Sequence, residues 1–148
     1  MANEPEGIRH KWELMKERGI VISDAVIAEL DSECLSHVRI MEGIALNYQG
    51  GDIPVDQLVL IVQQINKIVL FMRTIKKSDG VCSLEEGVLT LDEMVKDVLS
   101  HYFGNDLYCL TFACGDAIDD KKSFSSALVL ERILAIKEFF ERFKAATR

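Results

Sequence analysis

The sequence predicts an all-α fold, a helical bundle, on three observations. The 148 residues include only two prolines and nine glycines, so few chain breakers interrupt the chain. Apolar residues make up 49% of it and recur at steps of three and four over long stretches. Most of the breakers fall between those stretches. We expect a short N-terminal helix, a short helical segment near 107–114, and four main helices at about 23–48, 54–77, 90–103 and 124–144.

Length and charge limit the classes of protein that fit. A chain of this length builds one ordinary hydrophobic core, so residues 1–148 are predicted to form a single helical domain. The chain has 24 acidic and 17 basic side chains, for a formal net charge of −7. Binding to nucleic acid needs a concentrated basic surface, which this sequence lacks. We therefore expect no nucleic-acid partner.

The N-terminal residues favour a cytoplasmic protein, and this location predicts the state of the cysteines. Residues 1–16 are rich in charge and contain no apolar core of the kind a secretory signal needs. In the cytoplasm the four cysteines are expected to be thiols. No Cys-x-x-Cys pair occurs, so small buried side chains are a better interpretation than a metal site built with His101. The cysteines are Cys34, Cys82, Cys109 and Cys114.

Breakers and caps define the first two helices. Pro5 and Gly19 bracket a charged segment whose apolar residues have helical spacing, which predicts a short accessory helix. Ser23 is the predicted N-cap of a long second helix, and Gly50 and Gly51 end it.

The third predicted helix is unusually apolar. Twelve of the eighteen residues from Val55 to Met72 are apolar. A surface helix needs only a third to a half of its circumference to be apolar. The helix is therefore either central in the bundle or shared with a second subunit. Polar residues in its middle argue against a membrane-spanning helix. These are Gln63, Gln64, Asn66 and Lys67.

Two capping boxes precede the fourth helix. Ser83 and Thr90 each stand three residues before a glutamate, the pattern of a hydroxyl cap with a reciprocal carboxylate. The second box is followed by apolar residues at the spacing of an amphipathic helix, so the fourth helix is predicted to start near Thr90. The first box predicts a single turn that ends at Gly87.

The segment after the fourth helix is ambiguous. Gly104 is predicted to end that helix, and the composition of 107–114 fits a buried strand or two helical turns. We prefer helix, because no partner strand is evident and unpaired backbone groups are costly in a core. Residues 115–122 are predicted to be a polar loop, followed by a last helix capped by Ser123 or Ser125.

Residues for catalysis and for metal binding are few. No phosphate-binding loop, nucleophile elbow or zinc-protease motif occurs, and no histidine lies next to an obvious nucleophile. The acidic residues near 116–120 lack the order of a calcium-binding loop, so we expect a solvated loop. A metal-dependent enzyme would have to combine Asp116, Asp119 and Asp120 with His101 or Glu93. We expect no enzyme activity, no cofactor and no bound metal.

Residues 39–47 are similar to the phosphotransfer helix of histidine-phosphotransfer domains. Gly43 and Asn47 match that helix, while Arg39 stands in the histidine position and Glu42 in the place of a lysine. The resemblance implies a degenerate signalling domain, with the nearby His37 as a candidate phosphoacceptor. A structural interpretation of Gly43 is that it lets a neighbouring helix approach closely.

The leading functional hypothesis is a regulatory or sensory bundle that acts by forming a homodimer or by binding a protein partner, with no membrane contact. Its candidate interface lies on the third and last helices. The residues are Val59, Val62, Leu70, Phe71, Phe139 and Phe143. The alternative is a small-molecule sensor with a pocket between helices. Its candidate pocket residues are Gln63, Gln64, Asn66, Tyr102 and Tyr108.

Overall fold

The computed structural model describes residues 6–78 and 80–146. Helices dominate this part of the chain, which confirms the all-α prediction. The α-helices are α1 (Glu6–Glu17), α2 (Asp24–Leu30), α3 (Ser36–Leu46), α4 (Val55–Arg73), α5 (Glu93–Val98), α6 (Gly104–Asp119) and α7 (Ser126–Ala146). The strands are β1 (Asp52–Ile53), β2 (Lys76–Ser78), β3 (Ser83–Glu85), β4 (Val88–Asp92) and β5 (Phe124–Ser125).

Two π-helical turns join helices end to end. The first, Asp31–Leu35, lies between α2 and α3, and the second, Leu99–Phe103, lies between α5 and α6. The flanking residues keep right-handed helical dihedrals, so residues 24–46 and 93–119 each run as one continuous helix. The second predicted helix is therefore confirmed, with a π-helical turn that its sequence pattern does not reveal. Ser23 caps it as predicted, because its side chain accepts a hydrogen bond from the Val26 N–H at 3.2 Å.

The predicted break at Gly104 is wrong. Gly104 adopts helical dihedrals, φ −62° and ψ −34°, and the helix continues to Asp119. A glycine inside a helix costs only about 1 kcal/mol, which is offset by the buried face that follows it. Residues 107–114 are consequently helical, as preferred, and most of the predicted loop at 115–122 is helix as well.

A small three-stranded sheet replaces the end of the third predicted helix, the single turn predicted from Ser83 to Gly87, and the start of the fourth predicted helix. β4 lies between β2, to which it runs parallel, and β3, to which it runs antiparallel. The third helix therefore ends at Arg73 instead of near residue 77, and Thr90 is a strand residue whose hydroxyl lies 2.8 Å from that of Ser83. A second pair, β1 with β5, connects the chain before α4 to the chain before α7. Ser125 accepts from the Leu128 N–H at 3.4 Å and so caps α7.

The helices α3, α4, α6 and α7 form the bundle. α4 packs against α3 and α6, and α7 packs against the same two helices, so each helix has two neighbours around one core. α1 lies outside this ring and packs on α5 and α7. The third predicted helix is not central in the bundle, because α4 is buried on one side and exposed on the other.

Candidate functional site

One side of α4 is covered by the bundle and the other is not. Its fully buried residues are Leu58, Ile61, Ile65 and Ile68. Large apolar side chains stand on the opposite side, where Val59 is 37% exposed, Leu60 40% and Leu70 60%. We call the eight exposed residues of this helix the α4 face. They are Asp56, Val59, Leu60, Gln63, Asn66, Lys67, Leu70 and Arg73.

Length and composition alone would allow α4 to cross a membrane, which holds for no other helix in the described residues. Only 22% of the residues in its most apolar window are buried. Core helices of soluble bundles also meet this criterion, and α4 packs along two neighbouring helices. The hydropathy of α4 therefore reflects its buried side together with an uncovered apolar surface.

The predicted interface residues divide into three groups. Val59 and Leu70 are exposed on the α4 face. Val62 and Phe71 are half-buried and pack against the core from its edge. Phe139 and Phe143 are 8% and 1% exposed, so the structure corrects their assignment to an interface.

The two corrected residues belong to an aromatic cluster that attaches α1 to the bundle. Trp12 lies with its ring centroid 5.7 Å from that of Phe139 and 6.1 Å from that of Phe143. Phe103, from the second π-helical turn, and Phe140 complete the cluster at centroid distances of 4.7 to 6.4 Å. The sequence showed an apolar stripe on the last helix, and α1 covers its Phe139 and Phe143.

Most of the predicted pocket residues do not come together. Gln63 and Asn66 lie on the α4 face, and Tyr108 is 64% exposed on α6. Gln64 is half-buried and accepts a hydrogen bond at its Oε1 from Nδ1 of His37, 2.7 Å away. Tyr102 is the single member of the predicted set that lines the cleft described below.

A cleft of about 910 Å³ runs along the outer side of α7. Ile8 and Trp12 line it from α1, and Leu134 lines it from α7. Its volume and mostly apolar lining are typical of a small-molecule site. The indole Nε1–H of Trp12 is buried and has no acceptor among the described residues. The helical spacing of α1 predicts that this helix packs on the body, but gives no signal of where the cleft forms.

Both π-helical turns contribute to this cleft. Leu35 comes from the first turn, and His101 and Tyr102 come from the second. A π-helical turn inserts one residue into an α-helix, redirects the side chains around it, and is frequent at functional sites. Arg39 lies at the same cleft from α3 and makes no hydrogen bond or ion pair with the described residues.

The segment resembling the phosphotransfer helix lies in α3, with Gly43 and Arg39 exposed. A Cβ atom at Gly43 would meet nothing within 4 Å, so close helix packing does not explain this glycine. His37 is half-buried, with one ring nitrogen bound to Gln64. The structure thus gives His37 a role in holding α3 against α4, which needs no phosphate.

Neither the acidic residues nor the cysteines form a metal centre in the described part of the chain. No group of three or more histidine, cysteine, aspartate or glutamate side chains there could hold an ion. Burial raises the pKa of the Cys34 and Cys82 thiols, and raises that of Cys114 to about 11. These three side chains are buried, in agreement with the expectation of small core residues.

Comparison with known proteins identifies no relative. No family model matches the chain, and no curated protein and no solved structure is significantly similar to it.

Proposed function

We propose that this protein is a non-enzymatic, cytoplasmic regulatory protein that acts through self-association, with the α4 face as its contact surface. The observation that supports this most directly is the uncovered side of α4. Leu70 projects from it with 60% of its surface exposed, on a helix that the bundle covers on one side only.

Association would remove the exposed side chains of Val59, Leu60 and Leu70 from water. Burial of apolar area contributes about 25 cal/mol per Å², and contiguous exposed apolar patches are typical of interaction sites. A single helix face is smaller than a standard interface of about 800 Å² per partner. We therefore expect a reversible dimer that dissociates on dilution.

Sedimentation equilibrium tests the proposal with one exposed residue changed. We expect the wild-type protein to dimerise at concentrations of about 10 to 100 μM, and Leu70→Glu to be monomeric, because a charge would be buried at the contact. Leu70 is a better position than Phe71. Phe71 packs against the core, so a charge there would unfold the chain as well as dissociate the dimer.

The matched control is Leu128→Glu. Leu128 is 51% exposed and lies on α7, outside the α4 face, so this variant should dimerise as the wild type does. Circular dichroism should show both variants folded. A wild type that stays monomeric throughout the concentration range would contradict the proposal, as would equal dissociation of both variants.

A second candidate function is small-molecule sensing in the cleft along α7. It is supported by the 910 Å³ volume and by the buried indole N–H of Trp12, for which the described part of the chain offers no acceptor. Trp12 is the single tryptophan of the chain, so its fluorescence reports on this cleft directly.

The dye 8-anilinonaphthalene-1-sulfonate is a suitable first probe of that cleft. We expect energy transfer from Trp12 to bound dye, and we expect this signal to saturate as the dye concentration rises. The signal should be lost in Ala135→Phe, because the larger side chain fills the cleft. The control Leu128→Ala alters a residue outside the lining. Dye binding without energy transfer, or unchanged transfer in Ala135→Phe, would exclude the cleft as the binding site.

A further inference from the structure

The α4 face repeats with the spacing of a coiled-coil contact. Six of its eight residues follow one another at alternating steps of three and four along the helix. This alternation keeps a line of side chains facing a second helix. The six are Asp56, Val59, Gln63, Asn66, Leu70 and Arg73.

This line of residues is complementary to itself when reversed. Two copies of α4 lying antiparallel, with the twofold axis at the midpoint of the line, place Val59 opposite Leu70 of the second copy. The same arrangement places Gln63 opposite Asn66. Each apolar residue thus meets an apolar residue, and each amide meets an amide that donates and accepts hydrogen bonds.

The charges at the two ends are complementary in the same arrangement. Asp56 lies in the first turn of α4 and Arg73 in the last, so each meets the other across the axis. Within the described residues Arg73 has no ion pair, and Asp56 has one hydrogen bond, a 3.4 Å bond from the side chain of Gln57. Both charged groups are therefore free to pair with a second copy.

We infer that the partner of the α4 face is a second copy of this chain, bound antiparallel through α4. This inference rests on the proposed function and adds its geometry. A parallel pair would place Asp56 against Asp56 and Arg73 against Arg73, and would align the two helix dipoles unfavourably. Residues Leu60, Val62 and Val69 flank the line and extend the contact on both sides.

Charge reversal at the two ends tests the antiparallel arrangement. In Asp56→Arg each end of the dimer brings two arginines together, and in Arg73→Asp each end brings two aspartates together. Two attractive pairs become repulsive in either case. Since an exposed pair contributes about 0.2–1 kcal/mol, we expect the dissociation constant to rise about tenfold or more at low salt.

The double variant, Asp56→Arg with Arg73→Asp, restores opposite charges across the axis and should recover most of the wild-type affinity. It also reverses both charges relative to the helix dipole and should be the least stable monomer of the series. Recovery of the dimer therefore cannot result from better folding. An equimolar mixture of the two single variants should likewise form a heterodimer.

Glu131→Arg is the control for net charge, because Glu131 is exposed on α7 away from the α4 face and should not affect the dimer. The outcomes separate this inference from the proposal beneath it. A monomeric wild type would overturn both. A dimer that Leu70→Glu dissociates, but that single reversals leave intact or the double variant fails to restore, would overturn the antiparallel geometry alone.

Discussion

Asp92 joins three parts of the chain through one carboxylate that is 2% exposed. Its Oδ1 accepts a hydrogen bond from the Met94 N–H at 2.8 Å, so Asp92 is the N-cap of α5. Its Oδ2 accepts from the Gly80 N–H at 3.0 Å and lies 3.5 Å from a guanidinium nitrogen of Arg18. The start of α5, the loop before β3 and the end of α1 therefore depend on this one side chain.

We predict that Asp92→Ala lowers the free energy of unfolding by about 2–4 kcal/mol. The change removes a helix cap, worth about 1 kcal/mol, and leaves a backbone N–H and an arginine without their acceptor. Urea denaturation followed by circular dichroism measures the loss. Asp116→Ala, at an exposed position of α6, is the control and should change stability by less than about 0.5 kcal/mol.

Cysteine reactivity is a second prediction at the residue scale. Burial raises the pKa of Cys34, Cys82 and Cys114, which lowers the fraction of reactive thiolate at neutral pH and also blocks access to reagents. Cys109 is half-buried. We expect Ellman's reagent to modify Cys109 alone in the native protein and all four thiols in guanidinium chloride. Fast modification of two or more thiols in the native protein would contradict this burial.

At the scale of elements, the hairpin of β3 and β4 has a two-residue turn at Glu86 and Gly87. Both residues have positive φ, 51° and 77°, as a type I′ turn requires. Glycine adopts this backbone conformation readily, whereas a glutamate does so at a cost. The backbone at Glu86 is therefore strained. This turn belongs to the small sheet that lies between α4 and α5 in the chain.

Substitutions at the two turn residues, Glu86 and Gly87, should change the stability of the protein in opposite directions. Asn-Gly is the preferred pair for a type I′ turn, so Glu86→Asn should raise stability by about 0.5 kcal/mol and Tm by about 1–2 °C. Gly87→Ala should lower stability by about 1 kcal/mol or more, because alanine has no low-energy conformation at this φ. Differential scanning calorimetry compares the three proteins. A stabilised Gly87→Ala would show that the turn has another conformation.

For the whole molecule, the proposed self-association would be coupled to folding. A ligand or partner that binds only the folded chain raises its apparent stability in proportion to the logarithm of concentration. We predict that Tm of the wild type rises by at least about 2 °C between about 1 and 100 μM protein. Leu70→Glu should show no such rise, and Leu128→Glu should follow the wild type. Calorimetric scans at several concentrations check this.

The bundle also shows how far patterns along the chain predict its fold. Ser23 and the spacing of apolar residues after it predicted the second helix correctly, because capping and one-sided burial are local properties. Gly104 was a misleading signal, since a glycine ends a helix only where packing does not continue beyond it. Thr90 fits a capping box, yet pairing with β3 turns it into a strand residue.

The candidate site was partly predictable for the same reason. Val59 and Leu70 could be named because the third helix has more apolar residues than one buried face needs. Phe139 and Phe143 could not be separated from them, because their burial depends on Trp12 from a helix more than one hundred residues earlier. The cleft along α7 has no signal in the sequence, since its walls come from four separate segments.

The sequence alone thus determined the helical class, the apolar faces and most of the breaks, all of which follow from contacts between residues a few positions apart. The tertiary structure decided which apolar face is covered, because burial depends on partners distant in the chain. On the last helix α1 covers Phe139 and Phe143, while α4 kept one side free. On that free side stand the charged, apolar and amide residues that we propose contact a second copy.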